Sequence, residues 1–330
     1  MGKKPLVSII LLVYRNFDGI WETLDSIFEQ SYECLELIIS DDSSPEFYKY
    51  EVKLRGYIEE HKNENIKFVR IQHLPINIGT TKNCNKAIAM AQGKYIKFIS
   101  PYDSFHECRV IEKCVDYCEK NDSKILVGQT YVMRRDGYGS EKDKVINSPI
   151  YRFKARNGRR AILTPTDKDI EKLQRMSKEK RNRLLATQPI ISTISVFFSK
   201  ELLDKTNGFI EESRLIEDMT YWPMLACNGY EFHFSKIVMY DYRLNGVSNG
   251  GALKGEFKED HKRIINEVYI ENEYRWGFLN NWLKSIRRKE EEWFAEDCSK
   301  FSLAYKAYFI DMFVYCLFRK VKYLFLGTKL

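Results

Sequence analysis

The sequence lacks the patterns that mark several large classes of protein. It has no low-complexity tract and no repeat with a period of about twenty to fifty residues, which argues against a solenoid of stacked repeats. None of its eight cysteines forms a C-x-x-C pair, so a zinc site is only weakly indicated. What remains is a chain of 330 residues, 44% hydrophobic and 30% charged, which suffices for one large domain or two modest ones.

Signals for secretion and for lipid attachment are missing from the N-terminus, "MGKKPLVSIILLVYRN". Two lysines precede a short apolar run there, but no small-residue cleavage site follows, so we expect a buried first strand and not a signal peptide. Leu6 stands where an N-myristoylation signal has Ser or Thr.

A long uninterrupted apolar run is also missing from the C-terminal segment, 251–330, which is expected to be a helical, aromatic and basic extension. Residues 301–318 approach the length of a membrane span, but Lys306 and Asp311 interrupt them. A charge at a bilayer centre costs roughly 2.5–3.5 kcal/mol, so spanning is disfavoured. Two alternatives remain, an amphipathic helix lying in the lipid interface and a helix packed on the rest of the protein.

Three cysteines lie close together at 108–118, beside His106. Ser104 and Glu107 fit the capping box S-x-x-E, which predicts that a helix begins there. An apolar stripe follows at helical spacing, formed by Ile111, Cys114, Val115 and Cys118. The pattern favours core thiols in a reducing cytoplasm over a metal site.

The first hundred residues alternate between buried strands and helices. Strands are predicted at 6–14, 35–40, 66–71 and 94–100, and helices at 18–30, 46–62 and 80–93, the last closed by Gly93. Such alternation predicts an α/β fold with a mostly parallel sheet, in which ligands bind beyond the carboxyl ends of the strands. Polar side chains collect at those ends, at 14–15, 41–42 and 103.

A basic segment lies in the middle of the chain, at about 134–187. Between Arg152 and Arg183 there are twelve Lys or Arg residues against four Asp or Glu residues, an excess as large as the formal net charge of +7 for the whole chain. A solvated helical insertion and a surface that meets an anionic partner are both open interpretations. The expected division is a catalytic domain at 1–250, carrying this insertion, and the extension at 251–330.

Several stretches, taken together, resemble glycosyltransferase family 2, the inverting nucleotide-sugar transferases of GT-A fold. The first is "VSIILLVYRNFDGIWETLDSIFEQSYECLELIISDDSS", and "NIGTTKNCNKAIAMAQGKYIKFIS", "GFIEESRLIEDMTYW" and "YDYRLNGVS" follow in the family's order. They cover roughly residues 5–250, and their combination is specific although each piece alone is weak. The resemblance implies a Rossmann-like, mostly parallel central sheet flanked by helices.

The resemblance also implies which residues bind the nucleotide sugar. Asp42 corresponds to the Asp that accepts the imide N–H of uracil, and simple turn formation is the alternative for both Asp41 and Asp42. The backbone at Val13 and Tyr14 would flank the base, and Arg15 would reach the base or a phosphate. Lys82 is a candidate for a diphosphate contact, with a solvated lysine as the alternative.

The metal motif departs from the family pattern. Members commonly carry D-x-D-D or S-x-D-D at the end of the fourth strand, whereas this chain has Ser100, Pro101, Tyr102 and Asp103, so Tyr102 replaces the usual ligand. Asp103 is the expected ligand of a weakly held Mn²⁺ or Mg²⁺, because the diphosphate and water can supply the other oxygens. The alternatives are a metal-free site, where Tyr102 donates to a phosphate, and an Asp103 that only starts a helix.

Glu217 and Asp218 form the second acidic centre. Inversion needs a base that takes the proton of the acceptor hydroxyl, and the resemblance assigns this role to Asp218, with Glu217 orienting the acceptor or the base. Two acids that merely favour a helix dipole are the alternative.

These features predict a cytoplasmic inverting enzyme, a hexosyl- or N-acetylhexosaminyltransferase of bacterial surface polysaccharide synthesis. The expected partners are a UDP-sugar donor, a glycan hydroxyl acceptor on a lipid-diphosphate carrier and an anionic membrane face, with no nucleic acid. One alternative is an inactive relative that only binds the nucleotide sugar. A nucleotidyltransferase would need a glycine-rich, Lys-bearing phosphate loop after the first strand, and "VYRNFDG" is not one.

Overall fold

The computed structural model describes residues 4–133, 161–163, 165–243 and 255–270, together with a few isolated positions nearer the C-terminus. Its strands are β1 (Val7–Val13), β2 (Leu35–Asp41), β3 (Ile66–His73), β4 (Tyr95–Ile99), β5 (Ser104–Phe105), β6 (Ile125–Met133), β7 (Ala161–Leu163), β8 (Val196–Ser199) and β9 (His233–Arg243). Its α-helices are α1 (Ile20–Phe28), α2 (Phe47–His61), α3 (Thr80–Met90), α4 (Val110–Asn121), α5 (Asp167–Arg175), α6 (Lys178–Thr187), α7 (Lys200–Lys205), α8 (Asp218–Cys227) and α9 (Gly255–Ile264). A π-helical turn, Ile265–Ile270, continues α9.

All nine strands join one sheet in the order β3-β2-β1-β4-β8-β6-β9-β5, with β7 paired to β6. The four strands predicted from the first hundred residues form its parallel half, which confirms that part of the prediction. In the second half β8 runs antiparallel to both β4 and β6, while β9 runs parallel to β6. The parallel half therefore brings the carboxyl ends of β1, β2 and β4 to one edge.

The first strand, β1, shows why the strands of the parallel half are continuous apolar runs in the sequence. Ile9 and Leu11 point into one core cluster, whereas Ile10 points into another on the opposite face, and all three are fully buried. Helices cover both faces, α1, α2 and α4 on one and α3 and α8 on the other. Each such side chain contributes about 1.5–3 kcal/mol by burial, which holds the strand ends rigidly in register.

The prediction that a helix begins at Ser104 is wrong. Ser104 and Phe105 form β5, paired antiparallel with β9, and α4 begins only at Val110. The buried Phe105 ring packs 4.8 Å from the Tyr240 ring, and Glu107 bonds Lys113 instead of capping a helix. Burial and sheet pairing therefore prevail over the local capping signal, and Asp103 does not start a helix.

Gly93 does not close the third helix, which ends at Met90. Its backbone N–H donates to Ser8 Oγ at 2.9 Å, and a Cβ on Gly93 would lie 2.6 Å from the Ser8 backbone nitrogen. The glycine is required because the chain passes close against β1.

The predicted thiol stripe is confirmed. Among the residues described, Ile111, Cys114, Val115 and Cys118 are each no more than 4% exposed, and they face the core from α4. Burial raises the pKa of Cys118 to about 12, so the thiol stays protonated. Within the described ranges no three His, Cys, Asp or Glu residues are grouped so that they could hold a metal ion.

The basic segment is only partly described, and residues 134–160 lie outside the described residues. The second half of the segment is helical, and both α5 and α6 also bury residues in the core. The buried residues of these helices include Ile170, Leu173, Leu185 and Ala186, at 0–1% exposure. Most of the charged residues of these two helices lie on their outer faces, whereas Arg181 of α6 is buried.

The C-terminal extension is described for α9 and its π-helical turn, which confirms helix there. Ile264 and Tyr269 pack against Ile216 and Met219, beside the second acidic centre. In the parts of the chain that the structure describes, no helix has the length and apolarity to cross a membrane. Both predictions for 301–318 concern residues that, apart from Val314 and Leu317, lie outside the described residues, so neither is tested.

Candidate functional site

Asp42 follows β2 and holds the loop between β3 and α3. Its two carboxylate oxygens accept the backbone N–H groups of Ile78 and Gly79, each at 2.8 Å, and its carbonyl oxygen accepts the side-chain amide of Asn77 at 2.9 Å. Burial raises the pKa of Asp42, while these two N–H groups and the nearby guanidinium of Arg214 counteract the rise. The carboxylate is 4% exposed, so it fixes the loop at residues 77–79.

Asp41 has the turn-forming role that the sequence left open for the acidic pair. It is fully buried, and its carboxylate accepts the backbone N–H of Ser44 at 2.9 Å and binds His73 Nδ1 at 2.7 Å. The Ser44 hydroxyl donates to Asp41 and accepts the backbone N–H of Arg15 at 2.8 Å. Asp41 thus supports Arg15 through Ser44.

Tyr14 and Arg15 form an exposed surface at the end of β1. Arg15 has a φ of +60°, a conformation that the hydrogen bond to Ser44 stabilises, and its guanidinium carbon lies 5.1 Å from the centre of the Tyr14 ring. Val13 just before them is buried, and its carbonyl oxygen accepts the backbone N–H of Asp42 at 2.9 Å. An aromatic face and a cation therefore lie beside Asp42, whereas the Val13 side chain belongs to the core. Lys82 is exposed on α3.

Tyr102 packs on the N-terminal end of the first helix. Its backbone N–H donates to the carbonyl oxygen of Gly19 at 3.0 Å, and its φ is +75°. A Cβ on Gly19 would lie 2.4–2.5 Å from carbons of the Tyr102 ring, so the ring rests directly on the glycine backbone. Tyr102, which stands where the resemblance predicts a metal ligand, thus makes a packing contact.

Asp103 is nearly enclosed, at 2% exposure. The Thr23 hydroxyl donates to its carbonyl oxygen at 2.8 Å, and its carboxylate counteracts the burial that lowers the pKa of Lys97 to about 7. With no metal-binding cluster among the described residues, this donor set does not fit an ion held by the protein alone.

Glu217 and Asp218 stand together where α8 begins. Burial raises the pKa of both carboxyl groups, and Glu217 raises that of Asp218 further. The backbone N–H of Thr193 donates to Asp218 Oδ2 at 3.3 Å, and N–H groups at the start of α8 counteract part of the rise. Both residues keep a partly exposed surface. The arrangement can take up a proton near neutral pH, as a general base must.

The two acidic centres converge on α3. Cys84, fully buried on this helix, has its pKa raised first by burial and then by the carboxylates of Glu217, Asp218 and Asp42. The predicted base and the predicted nucleotide contact therefore lie around the same helix, although 176 positions separate Asp42 from Asp218. The two acidic groups, far apart in sequence, are therefore close to the same buried side chain of α3.

Arg214 links these parts, and sequence reasoning missed it. Its guanidinium donates to Asn77 Oδ1 and, at 2.9 Å, to Glu256 of α9, while its carbonyl oxygen accepts the backbone N–H of Thr81 at 3.2 Å. It thereby joins the loop held by Asp42, the segment before Glu217 and the C-terminal extension. No local pattern marks it, because each partner is distant in sequence.

Comparisons with known proteins show the family and the fold of the chain. The family model described as Glycosyl transferase family 2 matches residues 8–192. An uncharacterized glycosyltransferase of Haemophilus influenzae is 32% identical over 267 residues, which cover 81% of this chain and 74% of that protein. The putative teichuronic acid biosynthesis glycosyltransferase TuaG of Bacillus subtilis is 29% identical over 146 residues, 44% of this chain, and the match spans only about half, 54%, of its length.

Two solved structures share the fold. The mannosyltransferase PcManGT from Pyrobaculum calidifontis, in complex with GDP-Man and Mn²⁺, has a TM-score of 0.51 at 17% identity, covering 98% of this chain and 88% of that one. TarS 1-349 of S. aureus, in complex with UDP-GlcNAc, has a TM-score of 0.51 at 14% identity, covering 94% and 81%.

Proposed function

We propose that this chain, which belongs to glycosyl transferase family 2 and is a glycosyltransferase of GT-A fold, transfers a sugar with inversion from a UDP-sugar to a hydroxyl of a glycan. The family and the fold are those the sequence predicts. The donor, the acceptor, the inversion and the role of each site residue are proposals.

The nucleotide would bind at the ends of β1 and β2. The uracil imide N–H would donate to Asp42, which has acceptor capacity left because each carboxylate oxygen already accepts only one backbone N–H. The base would lie against the backbone at Val13 and the exposed Tyr14, with Arg15 beside it. Lys82, exposed on α3, would approach the diphosphate and oppose its charge.

The acceptor would bind on the side of Glu217 and Asp218. Asp218 would take the proton of the acceptor hydroxyl while the hydroxyl oxygen forms a bond to the anomeric carbon. The nucleoside diphosphate would leave with the electron pair of the bond that breaks. Attack from the face opposite the leaving group inverts the anomeric configuration. Glu217 would orient the acceptor or Asp218, and its own negative charge favours the protonated product state of its neighbour.

We propose a weak dependence on divalent cation. Asp103 is one buried carboxylate outside any metal-binding cluster of the described residues, so the diphosphate and water would have to supply the other oxygens. Tyr102, fixed on Gly19, would offer its hydroxyl to a phosphate at most. When bound, Mn²⁺ or Mg²⁺ would neutralise diphosphate charge.

The acceptor would belong to bacterial surface polysaccharide, as the name of the B. subtilis relative suggests. A lipid-diphosphate carrier would place the enzyme at the inner face of the cell membrane, where the aromatic and basic residues of 301–330 would meet anionic lipid. A catalytic domain at 1–250 and an extension at 251–330 remain part of this proposal.

The convergence of Asp42 and Asp218 on α3 carries the proposal, and Asp218→Asn tests it. The variant keeps the shape of the side chain but removes the proton acceptor, so we expect turnover to fall by roughly a hundredfold or more, with donor affinity nearly unchanged.

The assay measures turnover and binding over a panel of UDP- and GDP-sugars, with and without manganese. Asp204→Asn, on α7 away from the site, is the control. Full turnover by Asp218→Asn would exclude this base, and binding without turnover by the natural enzyme would favour the inactive relative.

A further inference from the structure

Tyr269 carries a buried hydroxyl that lacks a partner. The side chain lies in the π-helical turn after α9, is 1% exposed, and its oxygen makes no hydrogen bond to any residue that the structure describes. Burying a hydroxyl without a partner costs about 1–3 kcal/mol. A tyrosine at such a position calls for an explanation that packing alone does not give, because phenylalanine would pack equally well.

The Tyr269 side chain lies beside the proposed base. The Tyr269 ring packs against Ile216 and Met219, the residues that flank the acidic pair in sequence. Burial raises the pKa of Tyr269 well above its ordinary value, and the carboxylate of Asp218 raises it further. The phenol therefore remains protonated at any physiological pH and can act as a donor to an anion.

Both ends of the segment are anchored, so the position of the ring is defined. Asp260 of α9 accepts the Ser213 hydroxyl at 2.9 Å and the backbone N–H of Arg214 at 3.3 Å, just before the acidic pair. After the turn, the side-chain amide of Asn272 donates to the carbonyl oxygen of Ala186 on α6 at 3.0 Å. Contacts on both sides of the turn therefore fix the position of the ring relative to the start of α8.

We infer that Tyr269 is a positioning residue for Asp218, to which its hydroxyl donates a hydrogen bond when the carboxylate is ionised. The inference rests on the proposed function and extends it to a residue beyond the segment that the family model matches. The bond would stabilise the ionised base and fix the direction from which it takes the acceptor proton.

The other groups that face Asp218 cannot replace this donor. Glu217 beside it is an acid that repels its charge, and Cys84 from α3 is a weakly donating thiol. Thr193 contributes one backbone N–H. On α6, which packs against α8, Asn182 donates to the carbonyl oxygens of Ala226 and Tyr230, and Arg181 binds Leu173 and Glu231.

The test is Tyr269→Phe in the full chain, which removes one oxygen and keeps the ring. We expect kcat at neutral pH to fall roughly tenfold with KM for the donor unchanged, and the kinetic pKa of the base to rise, so that higher pH restores part of the rate. The melting temperature should stay equal or increase.

Tyr32→Phe is the matched control. The Tyr32 side chain is 3% exposed, and its hydroxyl donates to the carbonyl oxygen of Pro5 at 2.6 Å, away from the site. It should lose stability and keep the natural pH profile.

Two results would overturn the inference. A natural pH profile in Tyr269→Phe, with turnover either kept or lost, assigns the residue to packing alone. A variant that fails to fold does the same, since loss of an unpaired hydroxyl should not destabilise. Either result leaves the proposed function intact if Asp218→Asn is inactive, whereas an active Asp218→Asn removes the base itself.

Discussion

Gly79 lies directly against Arg214, so that a Cβ on the glycine would come within 2.3 Å of Arg214 Cγ and 2.5 Å of its carbonyl oxygen. The glycine also has a φ of +89° and a ψ of 163°, a conformation open essentially to glycine alone. Through this contact the loop held by Asp42 touches the segment that leads to Asp218. The two halves of the site are therefore mechanically connected at one small residue.

Gly79→Ala should consequently weaken both folding and donor binding. We expect a loss of about 1–3 kcal/mol in the free energy of unfolding from backbone strain, and donor affinity lowered roughly tenfold because the N–H groups that Asp42 accepts are displaced. Denaturant unfolding and titration with the nucleotide sugar measure the two effects.

Gly56→Ala is the control for this substitution. Gly56 lies in the interior of α2 and a Cβ there would meet no atom within 4 Å, so the alanine should stabilise the protein by about 0.5–1 kcal/mol and leave binding unchanged. If Gly79→Ala behaves like Gly56→Ala, the loop does not depend on close contact with Arg214.

The acidic pair Glu217 and Asp218 predicts how stability depends on pH. The pKa of Asp218 is higher in the folded protein than its ordinary value of 3.8, so the folded state binds more protons than the unfolded state over the interval between the two values. The free energy of unfolding contributed by this group therefore falls as pH rises through that interval. Asp218→Asn removes the titration, so thermal melts from pH 4 upward should show the natural protein losing stability relative to the variant. Parallel curves for the two proteins would mean that Asp218 ionises normally.

The fold could be predicted from sequence where its determinants are local. The runs of β1 and β2 are buried on both faces, and the periodicity of α1 and α3 follows directly from the residues that touch the core. The capping signal at Ser104 failed because its competitor, pairing with β9, lies more than 130 positions away. Arg214 and Tyr269 could not be found for the same reason, since their partners come together only in the folded chain.

Exchange of Tyr102 for Asp tests the altered metal motif. Aspartate tolerates the positive φ of this position better than most residues, so Tyr102→Asp should fold, although it gives up the contact with Gly19. A second carboxylate beside Asp103 adds a charge and an oxygen ligand, and we expect the manganese concentration that half-saturates donor binding to fall roughly tenfold. Tyr102→Asn is the matched control, because it has the same shape as Tyr102→Asp without the charge and should not tighten metal binding.

Asp103→Ala should remove whatever metal dependence the natural enzyme has. Donor affinity and turnover measured against manganese and against chelator distinguish these cases. Should chelator leave the natural enzyme fully active, and manganese leave Tyr102→Asp unaffected, the strand end at 100–103 is a metal-free site, and the leaving diphosphate is neutralised by basic side chains such as Arg15 and Lys82.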